Sequence, residues 1–310
     1  MSRFRHDISK PLLQKLYHRQ KLSSVAIATR FSCDPTTILN HLRSFGLSVR
    51  TLHDASRYKT FSTFPGRITY PKRDFDGDQA HKAYLIGFRL GDLTVRPVSG
   101  GSYSQTLEIC SRSTRPEQLQ LFRRLFDGYG HLYESRPDQH GAVGQICYVN
   151  RSFDFLLPKQ DTVEQWIRVD PRCAVAFAGG YIDAEGSFYI TTTPTQLRKS
   201  MFAVATQDRQ ILTWMHQWFQ SVGITCPPPK LALRRGTPRP FSLNKDHWIL
   251  QVIRKDALAQ LIKVVQPWVR HPKRKADAQR VLANIKERNL HPNLKYARRT
   301  HRRWASTATF

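Results

Sequence analysis

The sequence predicts an α+β fold: two tandem copies of one helix-and-antiparallel-sheet unit, preceded by a small all-α domain. Three observations carry that prediction. Two segments 93 residues apart align as an internal repeat, the strands inside them alternate with a period of two, and the first fifty residues show helical spacing with capped ends.

The repeat is the firmest of the three. AYLIGFRLGDLTV (83–95) aligns with AFAGGYIDAEGSF (176–188), so that Leu85 meets Ala178, Gly87 meets Gly180 and Asp92 meets Glu185. The same offset places Leu119, Phe122, Leu125, Phe126, Tyr129 and Gly130 on Leu212, Met215, Trp218, Phe219, Val222 and Gly223. Beyond that helix the offset grows to about 103, aligning QICYV (145–149) with WILQV (248–252) and QWIR (165–168) with PWVR (267–270). The second copy therefore carries an insertion of about ten residues, inside the basic hairpin LALRRGTPRPFSLN. Each copy reads helix, strand, strand, helix, strand, strand, helix. In SFYITTT, Phe188, Ile190 and Thr192 point one way while Ser187, Tyr189 and Thr191 point the other. Helices covering one face of such a sheet leave the other face polar and basic.

The N-terminal residues 1–50 read as compact helices. SKPLLQKLYHRQ carries Leu12, Leu13, Leu16 and Tyr17 on one face, and SSVAIATRF carries Val25, Ile27, Ala28 and Phe31. In SCDPTTILNHLRSFG, Asp34 is the expected N-cap and Pro35 the first helical residue. Ile38, Leu42 and Phe45 then form the buried stripe and Gly46 the stop. This is a helix-turn-helix pattern, with a plain three-helix bundle as the alternative. It turns Thr36, Thr37, Asn40, His41 and Arg43 toward a DNA groove or its phosphates. Residues 51–79 read as a basic linker, 80–170 and 171–288 as the two repeats, and 289–310 as a basic tail.

Charge names the class of partner. The 310 residues hold 49 Lys and Arg against 23 Asp and Glu, a formal net charge of +26. The surplus is spread over the chain: residues 1–75 hold 14 basic and 4 acidic side chains, residues 270–303 hold 12 and 2. Such a field is the footprint of a polyanion, because each neutralised phosphate releases counterions. No apolar run approaches the ~20 residues of a membrane span, and MSRFRHDISK has no apolar signal region. Five cysteines without a C-x-x-C pair read as reduced thiols, in a cytoplasmic, nucleoid-associated or organellar protein that is neither secreted nor membrane-bound. Histidines and cysteines do not share zinc-ligand spacings.

The small residues and acids of the repeated helix point to chemistry. Gly87 and Gly91 in the first copy, and Gly180 and Ala184 in the second, recur four apart on one helix face. That spacing lets two helices approach backbone to backbone. The next residues, Asp92 and Glu185, then fall at the same end of the pair. Two carboxylates brought together raise each other's pKa unless cations lie between them. As hard oxygen donors they suit Mg²⁺, with Mn²⁺ as substitute, on a scissile phosphate.

The two segments resemble the paired motifs of the LAGLIDADG homing endonucleases, over residues 80 to about 285. AGGYIDAEG (178–186) follows the family pattern at its second glycine, both acids and the final glycine. LIGFRLGDL (85–93) keeps Gly87 and Asp92 but has Leu90 for the first acid and Leu93 for the last glycine. The resemblance implies two αββαββα LAGLIDADG repeats forming a pseudo-two-fold antiparallel β saddle. It assigns metal binding to the last acid of each motif, Asp92 and Glu185, and a lesser role to Asp183. It implies a staggered break across the minor groove of double-stranded DNA, and a basic residue near the metals late in each repeat. Lys273 or Arg274 in RHPKRKADA (270–278) and, loosely, Arg172 in the first copy match that residue, and spacing does not choose among them. Leu93 is expected to alter how the first helix passes into its strand.

From strand alternation, Thr94, Arg96, Tyr189, Thr191, Arg234 and Arg235 are expected at the DNA, as phosphate contacts before base readers. The unequal repeats imply a monomer on a long, non-palindromic site, without an obligate protein partner. Two other readings share the scaffold: a DNA-binding regulator that lost cleavage, and an RNA-splicing maturase with intron RNA as its partner.

Overall fold

A computed structural model describes residues 8–20, 22–50, 70–98, 105–192, 197–237 and 244–291. Helix α1 (Lys10–Leu13) runs into a π-helical turn, Gln14–Arg19, followed by α2 (Ser24–Arg30) and α3 (Pro35–Ser44). Both later helices start on side-chain caps. Ser23 Oγ accepts from the Ala26 N–H at 3.0 Å, and Asp34 accepts from the Thr36 N–H at 2.7 Å with Pro35 in the first turn. Gly46, at φ +65°, closes α3 in the left-handed conformation that glycine adopts without strain. Ile8, Leu13, Leu16, Tyr17, Ile27, Ala28, Ile38 and Leu42 form a core of their own. Val25, placed by spacing on the buried face of α2, is instead exposed.

Residues 51–69 of the expected linker lie outside the described residues, as do 292–310 of the tail. Residues 70–78 are extended and docked on the first repeat. The Phe75 ring sits 5.0 Å from Phe155 and 5.4 Å from Phe153, and its N–H donates to Ser152 Oγ at 2.8 Å. A lone phenylalanine among charged residues has no periodicity to reveal it, so this attachment was not readable from pattern.

The first repeat comprises α4 (Gln79–Asp92), β1 (Thr94–Pro97), β2 (Thr106–Ser113), α5 (Pro116–Phe126), β3 (His131–Glu134), β4 (Val143–Asn150), a 3₁₀ turn (Arg151–Leu156) and α6 (Gln165–Val169). The second comprises α7 (Pro171–Glu185), β5 (Gly186–Thr192), β6 (Arg198–Thr206), α8 (Arg209–Ser221), β7 (Lys230–Leu233), β8 (His247–Val252), α9 (Lys255–Val265) and α10 (Pro272–Leu290). Each forms a four-stranded antiparallel sheet, ordered β1-β2-β4-β3 and β5-β6-β8-β7. The identical order is what a duplicated unit requires, and the α+β expectation holds. The second copy departs by closing on two helices, α9 and α10, where one was expected.

Alternation along the strands sorts the faces. Val95, Leu107, Ile109, Cys147 and Val149 turn in from the first sheet, and Phe188, Phe202, Val204, Leu250 and Val252 from the second, all into one continuous core. On the first sheet's other face Thr94 pairs with Cys110, Arg96 with Glu108, and Glu108 with Tyr148.

The two sheets are joined through α4 and α7, which lie parallel and interlocked. A methyl group added at Gly87 would overlap the Phe177 carbonyl oxygen, and one at Gly180 would overlap that of Tyr84. At Gly91 it would meet Ala184 Cβ at 2.5 Å and Glu185 Oε1 at 2.9 Å. The helix-interior penalty of glycine, roughly 1 kcal/mol relative to alanine, is offset by this backbone contact. Both helices turn directly into strands at their C-terminal ends. Leu93 (φ −111°, ψ 147°) and Gly186 (φ −75°, ψ 151°) are both extended there. The two passages differ as Leu93 led us to expect. The Gly186 N–H donates to the Ile182 carbonyl, and an added methyl there would meet that oxygen at 2.7 Å, whereas Leu93 is a buried residue between helix and strand, and β1 starts only at Thr94.

Candidate functional site

Asp92 and Glu185 end α4 and α7, one from each repeat, and the contact at Gly91 brings the Glu185 carboxylate against the turn that carries Asp92. Both are held largely out of water. Burial pushes Asp92 up to about 6, against a hydrogen bond donated by Gln118 Nε2 to its Oδ2 at 2.9 Å and the charges of Arg274, Arg115 and Lys159. Burial also pushes Glu185 up to about 7, with repulsion from Asp92 and Asp208 adding to it. The repulsion is felt by Glu185 because Asp92 ionises first.

Asp183, the first acid of the second motif, is fully buried and does different work. Its Oδ2 accepts from the Tyr84 hydroxyl at 2.8 Å and from the Arg270 N–H at 2.6 Å. It thereby ties α7 to α4 and to the chain just before α10. Burial raises its pKa to about 6 despite these donors. Leu90, its counterpart in the first copy, is buried as a plain apolar side chain.

Of the three basic residues proposed for catalysis, the structure brings one to the acids. Arg274, in the first turns of α10, is largely buried, its Nη1 lies 3.5 Å from Ser187 Oγ, and its charge acts on Asp92, Asp183 and Glu185. Its Nε is buried without a hydrogen-bond partner. Lys273 instead donates to Asp277 within its own helix at 2.6 Å. Arg172 is corrected: it sits at the start of α7, paired with Asp78 at 2.7 Å, thirteen residues and roughly 20 Å of helix from Glu185. The first copy's nearest further cation to the acids by charge is Lys159, exposed in the segment between the 3₁₀ turn and α6, whose charge acts on Asp208, Glu185 and Asp92. Sequence pattern missed it because the connector LPKQDTVE carries no helical or strand period.

Thr94 and Arg96 lie exposed on the open side of the first sheet, where Arg96 pairs with Glu108 at 2.6 Å. On the second sheet Tyr189 is exposed and Thr191 half-buried beside it. Arg234 and Arg235 are exposed just past β7, where the Arg235 N–H donates to Asp246 at 2.7 Å. In α3, Thr36, Asn40 and Arg43 are exposed and Thr37 is half-buried. His41 is corrected. It is 1 % exposed and stacks on Phe45, with ring centroids 5.7 Å apart. It stands at i+3 from Ile38, so helical spacing itself puts it in the buried stripe.

One stability prediction follows from Glu185. Its folded pKa is raised, so the stability it contributes is present at low pH and lost as pH rises through about 7. His81 and His271, both lowered by burial, titrate with the opposite sign, so the effect is read as a difference between variants. In metal-free protein, Glu185→Gln is expected to be the more stable chain at pH 8 by on the order of 2 kcal/mol, with the gap closing toward pH 5. Chemical denaturation across that range measures it, and a gap independent of pH would contradict the assignment.

No protein-family model matches the chain, and no curated protein matches it. Similar solved structures include I-DmoI in complex with DNA and Ca, at 14% identity and TM-score 0.43, covering 65% of this chain and 98% of that one. The homing endonuclease I-WcaI bound to its DNA recognition sequence is similar at 16% identity and TM-score 0.43, covering 65% and 86%. The LAGLIDADG meganuclease I-AabMI bound to uncleaved DNA is similar at 9% identity and TM-score 0.44, covering 69% and 93%.

Proposed function

We propose that this chain is a site-specific DNA endonuclease of the LAGLIDADG homing type, making a staggered, metal-dependent double-strand break in a long, non-palindromic site as a monomer. The observation that carries the proposal is the convergence of one buried carboxylate from each repeat, Asp92 and Glu185, at the junction of two open-faced sheets in a chain of net charge +26.

These residues fit a divalent cation such as Mg²⁺ or Mn²⁺. Both are hard oxygen donors, and burial raises the pKa of each, more than the nearby hydrogen bond and cations lower it. No third His, Cys, Asp or Glu joins them in a cage among the described residues, which leaves positions for phosphate and water oxygens. When bound, the metal would supply an activated water and charge stabilisation at the leaving oxygen.

The chain's own residues do the rest. Gln118 orients the Asp92 carboxylate through its 2.9 Å bond. Arg274, with a buried donor to spare, is matched to a phosphate oxygen beside the acids. Lys159 offsets the negative charge gathered around Glu185 and Asp208. Arg96 and Tyr189 on the open sheet faces, and Arg234 and Arg235 beyond β7, are suited to the DNA backbone. The N-terminal helices extend the footprint as a helix-turn-helix unit, through Thr36, Thr37, Asn40 and Arg43.

The test is incubation of the purified chain with a randomised duplex library and Mg²⁺, followed by sequencing of the ends. A defined double-strand cut at one long sequence is expected. Selective duplex binding with no cut in Mg²⁺ or Mn²⁺ would favour the regulator, and preference for structured RNA the maturase.

A further inference from the structure

We infer that the cross-strand pair of Arg96 and Glu108, on the open face of the first sheet, reads one G·C base pair of the target from its major groove. Arg96 bonds the guanine, while Glu108 holds the guanidinium and accepts from the paired cytosine. The inference rests on the reading that the open sheet faces lie on duplex DNA. Its test is made by binding, so that it stands apart from cleavage.

It begins with an acid in an unfavourable place. Among the described residues, the strands hold two acids, Glu108 and Glu134. Glu134 turns to the helical side, opposite the buried Gln145 and paired with Arg123 of α5 at 2.6 Å. Glu108 stands between Arg96 and Tyr148 on the open face, and it is the one acid that a described strand presents there. A carboxylate facing a polyanion opposes binding by repulsion. Stability does not account for it, because exposed ion pairs contribute little.

The geometry shows what the acid does. Glu108 Oε2 accepts from Arg96 Nε at 2.6 Å, which leaves Oε1 and both Nη groups of Arg96 for other partners. The Arg96 side chain is 65% exposed and that of Glu108 15%, so the acid is sheltered and the fork stands out. Glu108 is sheltered because it belongs to a row that crosses the whole sheet. Tyr148 is its neighbour on β4 and His131 the next on β3, their ring centroids 6.5 Å apart and their planes within 5°. Tyr70, from the segment before α4, stacks on His131 at 3.7 Å and closes the row. Arg96 is thus held in one posture before DNA arrives, which lowers the ordering cost of a contact.

The chemistry of the pair selects a base over a phosphate. A phosphate on Arg96 would also meet the Glu108 carboxylate, like charge against like. The major-groove edge of G·C is neutral and offers the complementary pattern: guanine N7 and O6 accept, and cytosine N4 donates. The Nη fork supplies two donors and Oε1 an acceptor beside them. An A·T pair offers acceptor, donor, acceptor, so the fork and Oε1 would each meet a group of their own kind. The major groove admits a two-stranded β-ribbon, and β1 with β2 is one, at the edge of its sheet.

The test is selection of bound duplexes from a randomised library in Ca²⁺, by the full chain as wild type, Arg96→Ala, Glu108→Gln and Arg234→Ala. All three side chains lie outside the core. Arg96→Ala should abolish a guanine preference of about ten-fold or more at one position and leave the other positions unchanged. Glu108→Gln should weaken that same preference about five-fold, lowering affinity for the selected site while raising it for unrelated duplexes, because an acid leaves the DNA face. Arg234→Ala, a backbone contact, should weaken binding to all duplexes alike. Base preferences that survive Arg96→Ala at every position would overturn the inference. So would a Glu108→Gln variant that tightens equally on all duplexes, the mark of a plain surface pair, or a wild type that selects no sequence. If wild type selects a site but cuts nothing in Mg²⁺, the endonuclease reading falls, while the base preferences still decide what the pair does.

Discussion

Replacing Asp92 with Asn or Glu185 with Gln is expected to slow strand cleavage by on the order of 10³-fold or more, while affinity for the DNA site changes only a few-fold. The substitutions keep shape and remove only charge and one oxygen's basicity, so the interlocked helices remain packed. Each acid belongs to a different repeat but to one shared site, because the Gly91 contact sets Glu185 against the Asp92 turn. Loss of either is therefore expected to stop both strands, not one. Removing one partly buried negative charge also lessens repulsion of the phosphates, so binding should hold or tighten slightly. Binding by gel shift in Ca²⁺ and cleavage in Mg²⁺ separate the two effects. A variant that cuts at the wild-type rate would remove its acid from the mechanism.

Gly180→Val is expected to be among the most destabilising single changes in the chain, by about 3 kcal/mol or more. A methyl group at Gly180 would already overlap the Tyr84 carbonyl oxygen, and backbone cannot yield as the tip of a side chain can. The helices would have to separate along their whole contact, which also moves Asp92 from Glu185. Thermal unfolding should show a Tm lowered by roughly 6–12 °C, with cleavage lost below that temperature as well. Gly144→Ala is the control: its added methyl would meet only Ser135 Oγ at 3.5 Å, and it should be near neutral. A mild Gly180→Val variant would mean that α4 and α7 are not packed through their backbones.

Sequence pattern reached the architecture because duplication checks itself. The offset of 93 that aligned Gly87 with Gly180 also aligned the next helix, and both sheets share one strand order. The helix interface was readable because small residues four apart have few other uses in a buried helix. The basic residues were not, because what places a cation is the fold around it. Arg172 and Glu185 share a helix but lie at its opposite ends, and Lys159, whose charge acts on the acids, lies in a stretch without periodicity. The cap of α8 escaped notice for a related reason: Asp208 at its N-cap makes no cap bond, and Asp161 accepts instead from the Gln210 and Ile211 N–H groups, each at 3.0 Å, which is a tertiary matter. His41 is the one misplacement that spacing alone would have prevented.

The most direct test of the central claim is Mn²⁺ binding to the DNA complex, followed by electron paramagnetic resonance in wild type, Asp92→Asn and Glu185→Gln. The paired carboxylates predict tight Mn²⁺ binding by wild type, weakened about 100-fold or more by either substitution. Mn²⁺ bound equally well by all three proteins would contradict the claim that one acid from each repeat builds the metal site.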